Sequence, residues 1–509
     1  MGLFLEEKIT RFDGGISDDP RDPRRNVGSL VKHFDIFSNP YKLIPYRSSE
    51  ADENDGSTSD GMKQYDVRHF RLGLDGKVYG YGENASGRPK IVSKATPASG
   101  NWTLEATAEG NAARILGAFG EWQSNWYFFQ GTNQLGRWNI GGTVNNTVLT
   151  VGSTITTVAH PVIGTDGNFY IFYNNKVVRI NSAGTATDDV LTALPSNMRI
   201  TSACRWGSYL AIGMAYGTSA TATPAGPSLV FLWDQVTTAS VADVLEWGEG
   251  TLQVLGNVEG GLCGVSDKYL SSTLGLSRGS MVIRYWTGGV PRVVKEIVAN
   301  QAVTLGRFIQ DVVIKGNKMY WVASVPFDQS TATESTFHLG IWVFGRKSAD
   351  SDFAVAVDYV EEAVASGTFL INSFGNAGDF WFVSHSDDGS IEKTDDTANY
   401  TYTSIYQTQI LNNADPSQRK KLKGITVFTD PLPTAGQVVL LYRIDAETAY
   451  TTIFTNTTDN SMSRSAINIE SSGAQLPEYR EIQFRIQSTG GAQITGLKFR
   501  YELLDKDAY

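Results

Sequence analysis

The sequence predicts an all-β fold: a β-propeller of about seven blades with an N-terminal extended arm and a C-terminal antiparallel β-sandwich. The first observation behind this is a unit that recurs between about residues 70 and 395. It consists of an apolar strand, a tight Gly/Asn/Asp turn, a second apolar strand ending in aromatics, and a third strand. The second observation is composition: 24 Phe, 22 Tyr and 11 Trp suit pleated strands, and 51 Gly supply turns. The third is a change of pattern at both ends of the repeat, which divides the chain into residues 1–60, 61–397 and 398–509.

Residues 1–60 carry short apolar anchors, Phe12, Ile16, Phe34, Ile36, Leu43 and Tyr46, separated by charged, Pro-containing spacers such as Asp18 to Arg25. That pattern describes an extended arm lying on another surface, with the six anchors as partner-binding residues. The polar run from Ser48 to Asp60 reads as a linker.

Within residues 61–397 the middle strands are Trp126-Tyr127-Phe128-Phe129, Phe169-Tyr170-Ile171-Phe172, Tyr209-Leu210-Ala211-Ile212, Leu262-Cys263-Gly264-Val265, Met319-Tyr320-Trp321-Val322 and Phe380-Trp381-Phe382-Val383. An earlier unit, Leu74-Asp75-Gly76-Lys77-Val78-Tyr79, shares its Asp-Gly hairpin signal with Ile163 to Tyr170. A single meander cannot bury both faces, so a repeat of this kind implies similar sheets packed side by side. After residue 397 the strands alternate apolar and polar residues, as in Ile482-Gln483-Phe484-Arg485-Ile486 and Leu497-Lys498-Phe499-Arg500-Tyr501, which is the pattern of an antiparallel sandwich.

Net charge is −10; residues 1–60 hold 12 acids against 8 bases, residues 398–509 hold 11 of each, and the remainder holds 30 against 24. No segment has the basic excess that drives phosphate binding, so nucleic-acid binding as a primary activity is disfavoured. No apolar run approaches the ~20 residues a membrane helix needs, and Met1 to Glu7 is too short and too acidic for a signal peptide. Cys204 and Cys263 read as small buried hydrophobes.

Chemistry has little footing. Gly275-Leu276-Ser277-Arg278-Gly279 matches a nucleophile elbow, but a strand follows where a helix is required. His33, His69, His160, His338 and His385 show no metal-ligand spacing. Asp350 and Asp352 read as a solvated loop, His385 beside Asp387 and Asp388 as a hairpin tip, and Arg419-Lys420-Lys421-Leu422-Lys423 as a basic strand entry. No catalytic, cofactor-binding or metal site is predicted, and the chain reads as a non-enzyme.

The arm residues Phe12-Asp13-Gly14-Gly15-Ile16, Phe34-Asp35-Ile36 and Leu43-Ile44-Pro45-Tyr46-Arg47 resemble the opening of tailed-bacteriophage virion proteins that join an anchoring arm to a propeller. The stretches Lys421 to Ile425, Pro431-Leu432-Pro433, Leu441-Tyr442-Arg443, Ile482 to Ile486 and Gly496 to Tyr501 are similar to a β-sandwich of phage tail components. The resemblance implies a structural tail protein, a nozzle or a tail-tube or tail-tip ring protein that conducts DNA during ejection. Its implied partners are copies of itself in a ring, other tail or adaptor proteins, and DNA passing without specific binding. Its implied place is the virion tail, assembled in the host cytoplasm. The alternatives are a glycan-recognising, receptor-binding tail protein and a propeller hydrolase; the missing signal peptide and Asp boxes disfavour the latter.

Overall fold

The computed structural model describes residues 4–504 except 18–20, 25, 53, 55–61, 63–64, 85, 108–114, 218–225, 271–277, 299–310, 327–336, 348–350, 361–370, 386–389, 396, 398, 413–416 and 468–476. Among the described residues there is no α-helix. The chain forms two units, residues 49–325 with 363–396 and residues 1–48 with 326–362 and 397–509. They are called here the repeat unit and the terminal unit.

Among the described residues the repeat unit contains six four-stranded antiparallel sheets. In chain order five of them run from Asp66–Leu72 to Trp102–Thr107, from Ile115–Trp122 to Val144–Thr150, from Val158–Ile163 to Ala186–Thr187, from Met198–Trp206 to Asp243–Gly248, and from Thr251–Val258 to Arg292–Val298. A hairpin, Val312–Lys315 with Lys318–Pro326, follows. The sixth sheet takes Ile371–Ala377, Phe380–His385 and Ile391–Thr394 and completes itself with Ser49–Ala51 from the start of the unit. The aromatic middle strands expected from sequence are the second strands here, at Asn125–Gln130, Phe169–Tyr173, Tyr209–Tyr216, Gly261–Leu270, Lys318–Pro326 and Phe380–His385.

These strands are apolar on both faces because both faces are covered. Successive residues of a strand point to opposite sides. Accordingly Trp126 and Phe128 pack with Tyr79 and Tyr81 of the first sheet, while Tyr127 and Phe129 pack with Phe169 and Tyr173 of the third. The same packing continues around the unit. Tyr170 meets Trp233 edge to face at 5.4 Å, and Trp206 meets Trp286 at 4.7 Å. Trp321 of the hairpin donates to the Met281 sulfur at 3.4 Å, and Tyr320 lies 4.8 Å from Trp381 of the sixth sheet. Phe382 then packs on Phe70 and Trp102 of the first sheet, closing the circle. A closed succession of small antiparallel sheets is a propeller-like architecture.

The Asp-Gly turns have a common construction. Asp75 Oδ1 accepts from Lys77 N and its Oδ2 from the Tyr79 hydroxyl; Asp166 does the same with Asn168 N and Tyr170. Gly76 and Gly167 sit at φ of 83° and 79°, where a side chain would be strained.

In the terminal unit, Phe4–Ile9 pairs with Ile494–Leu503, which pairs with Lys420–Thr429 and then Ser463–Ile467. In a second sheet Val27–Lys32 lies between Ala354–Val360, to which it is parallel, and Ser404–Thr408, to which it is antiparallel. Ile482–Thr489, Gln437–Ile444 and Thr451–Asn456 continue that sheet. Phe484 of one sheet and Phe499 of the other meet at 5.2 Å. The N-terminal segment therefore contributes strands to this unit, and Phe12, Ile16, Phe34, Ile36 and Leu43 are buried in it, with Tyr46 half-buried. Ile16 and Phe34 lie in short strands of this unit and Leu43 bridges to Ile494, so the surface that these buried side chains meet is the chain's own.

Trp126→Ala should remove the side chain that fills the junction of the first two sheets, costing about 3–5 kcal/mol. Chemical denaturation followed by tryptophan fluorescence and far-ultraviolet circular dichroism would measure it, and a loss below ~1 kcal/mol would contradict the packing described.

Candidate functional site

The first strand of every four-stranded sheet in the repeat unit is irregular. Register shifts fall between Val67 and His69, within Ile115 to Gly120, and between Ala159 and Val162, Ile200 and Ser202, Leu252 and Val254, and Ile371 and Ser373. Such bulges bend a strand, increase its twist and re-aim its side chains. The shift in the first sheet lets Val67 and Phe70 both enter the apolar core. The third sheet places His160 and Pro161 opposite a single residue, and Pro161 is tolerated there because a bulge leaves an N–H unpaired. At Gly117, with φ of 90°, a Cβ would come within 2.9 Å of the His69 ring.

The first strands of the first five of these sheets and of the hairpin line a cavity of about 440 Å³, whose wall includes Arg71, Glu121, His160, Arg205, Leu255 and Ile314. A buried polar cluster lies at the cavity wall. Arg71 grips Asp311 with both terminal nitrogens, Nη1 to Oδ2 at 2.9 Å and Nη2 to Oδ1 at 2.6 Å. Its Nη2 also donates to His160 Nδ1 at 2.9 Å. His160 Nδ1 also lies 3.1 Å from Asp311 Oδ1, so this one ring nitrogen sits against both the guanidinium and the carboxylate. His69 Nδ1 approaches Asp311 Oδ2 at 3.5 Å. The cluster joins the first strands of the first and third sheets to the residue that precedes the hairpin.

Its protonation states follow from burial and charge. Burial alone would raise the Asp311 carboxyl, but the charge of Arg71 and the hydrogen bonds from the histidines hold it well below the usual carboxylate range. Burial lowers both imidazoles, helped at His160 by the charge of Arg71 and opposed at His69 by Asp311. The arrangement is a neutralised ion pair flanked by neutral imidazoles. A carboxylate doubly held by arginine is a poor proton acceptor, so the cluster is suited to bracing strands. Among the described residues no group of three or more His, Cys, Asp or Glu has metal-holding geometry.

Sequence reading treated His69 and His160 as scattered and did not consider Arg71 or Asp311. The structure brings the four together, while His33 is buried in the terminal unit and His385 is buried in the sixth sheet of the repeat unit. Ser277, Asp350, Asp387, Asp388 and the His338 side chain lie outside the described residues. In the basic run Arg419 pairs with Glu478 and Lys423 with Glu502, while buried Lys420 donates to two backbone carbonyls. Cys204 and Cys263 are free thiols, and burial pushes Cys204 up to about 12.

No family model matches the chain, and no curated protein matches it. Among solved structures it is similar to virginiamycin B lyase from Staphylococcus aureus, with 11% identity over 68% of this chain and 98% of that one and a TM-score of 0.42. PorZ of the type-IX secretion system of Porphyromonas gingivalis matches at 11% identity over 83% of this chain and 57% of that one, with a TM-score of 0.43. YCF48 bound to D1 peptide matches at 10% identity over 72% and 99%, also with a TM-score of 0.43.

Asp311→Asn should leave the Arg71 charge without its counter-ion and destabilise the repeat unit by about 3–5 kcal/mol, read from the urea midpoint. Acid should act through the histidines first. Their native values lie below the unfolded 6.5, so below that pH the unfolded chain binds more protons than the native one and stability falls. Asp311 acts in the same direction only below its unfolded value of 3.8, as it becomes protonated in the unfolded chain. In the terminal unit His33, pushed down to about 4 by burial, gives a corresponding loss between pH 6.5 and about 4. Thermal melts from pH 8 to 4 should show a falling midpoint, less steep when His69 and His160 are both replaced by Gln; a flat profile would contradict the assignment.

Proposed function

We propose that this chain is a structural component of a bacteriophage tail, a nozzle or a comparable ring protein of the tail tube or tip, assembled in the host cytoplasm. It works as a closed ring of copies among other tail or adaptor proteins and lets DNA pass during ejection without binding it specifically. In this reading the repeat unit is a propeller of seven blades, the seventh founded on the hairpin at residues 312–326, and the two sheets of the terminal unit form a β-sandwich.

The observation that carries the reading is where the two resembling segments lie. The stretches within residues 12–47 and 421–501, far apart in sequence, belong to one unit, and the repeat is threaded between them. Leu43 and Ile494 bridge directly, the backbone of each bonding to the other at 2.9 and 3.1 Å. A unit of this kind offers an attachment body, and the propeller-like unit supplies stiffness, because packed sheets deform little. Net charge of −10 favours passage of a duplex over capture, since affinity for DNA grows with each phosphate neutralised. The reading includes no catalytic step.

Mass spectrometry of purified virions carrying this gene should find the chain in several copies, and antibody-labelled particles should show it at the tail on the DNA path. Absence from particles would reject the reading. Label confined to the ends of fibres would favour a receptor-binding protein instead.

A further inference from the structure

We infer that the cavity at the centre of the repeat unit is a binding site for a small amphipathic anion, an apolar body carrying one anionic head group. The volume of about 440 Å³ falls within the ~300–1,000 Å³ of small-molecule sites. Its mouth is formed by large aliphatic side chains that the fold leaves in water. Leu72 is 50% exposed, Leu74 80%, Ile163 49% and Ile314 44%, and all four line this one cavity. They arrive from three separate strands and one turn, the turn being the Asp-Gly hairpin that follows Leu74. Monomers rarely gather exposed apolar side chains in one concavity unless something covers them.

The polar groups on the wall specify the head group. Arg71 is neutralised by Asp311, and the Glu121 carboxylate accepts the Leu74 N–H at 2.7 Å. Arg205 also lines the cavity, is exposed, and has no ion-pair partner among the described residues. His160 also lines the cavity, its Nδ1 held between Arg71 Nη2 at 2.9 Å and Asp311 Oδ1 at 3.1 Å. One free guanidinium beside an aliphatic mouth suits a sulfonate or carboxylate on a hydrocarbon or aromatic body. The inference is independent of the tail reading, because it concerns binding by the isolated chain.

The test uses the full chain with two dyes, 8-anilinonaphthalene-1-sulfonate and the uncharged N-phenyl-1-naphthylamine, titrated by fluorescence and calorimetry. Saturable binding of one sulfonate dye per chain is expected. Ile163→Asp and Leu74→Asp should each weaken both dyes by about tenfold or more, because an apolar contact is replaced by a charge. Arg205→Ala should weaken the sulfonate dye several-fold more than the neutral one. Val290→Asp, at a site 79% exposed and away from the cavity, should change neither. Circular dichroism melts establish that each variant is folded; Leu74 is exposed enough for its variant to stand if Ile163→Asp does not. Non-saturating binding, or binding that the folded Leu74→Asp variant leaves unchanged, overturns the proposal. So does a self-association that Leu74→Asp abolishes with dye binding intact, which would make the mouth a protein contact.

Discussion

The repeat unit depends on one constraint: a strand that is apolar on both faces needs a neighbour on both. Phe128 and Phe129 are successive residues, point in opposite directions, and are both fully buried, one toward the first sheet and the other toward the third. The same holds for Tyr170 to Tyr173 one sheet further on. An open row of such sheets would leave two apolar faces in water, at roughly 25 cal/mol per Å². Closing the row into a circle removes both.

Closure has a geometric consequence at the centre. Where first strands converge, twist and crowding prevent regular pairing, and every four-stranded sheet of the repeat unit shows a register shift on that strand. The groups freed by these shifts find partners on adjoining sheets. Leu255 N donates to Ser202 Oγ at 2.9 Å, and Ser373 Oγ reaches the Val67 carbonyl at 3.3 Å. Arg71, Asp311, His69 and His160 belong to the same set of solutions, in which polar side chains hold strands that apolar packing cannot reach.

This division explains what could be read from the sequence. The second strands were legible because their apolar runs are continuous, and the Asp-Gly turns because Asp75 and Asp166 recur at the same distance from Gly and Tyr. The anchors from Phe12 to Tyr46 were legible as apolar positions, but not the surface they cover, since pairing partners such as Gln407 for Leu30 are hundreds of residues away. The polar cluster was illegible for the same reason: its members span residues 69 to 311, and no local spacing records that a closed circle brings them together. The available signal was the alternation Arg68-His69-Phe70-Arg71, polar residues inside a strand that should be wholly apolar if only core surrounded it.

The terminal unit and the strand Ser49–Ala51 impose an order on biosynthesis. Ser49–Ala51 pairs with Ile391–Thr394, and Val27–Lys32 with Ser404–Thr408, so these N-terminal segments leave the ribosome more than 300 residues before their partners exist. Until Ala354–Val360 and then Ser404–Thr408 emerge, Val31 and Phe34 have only the short pairings within residues 15–45 beside them. The sheets from Asp66 to Val298 can stack one after another as they emerge, but the circle cannot latch until Ile391–Thr394 has emerged, nor the terminal unit form until Ile494–Leu503 has. During synthesis the nascent chain is therefore an unlatched stack whose segment 12–34 exposes apolar side chains, and holdase chaperones would meet it there.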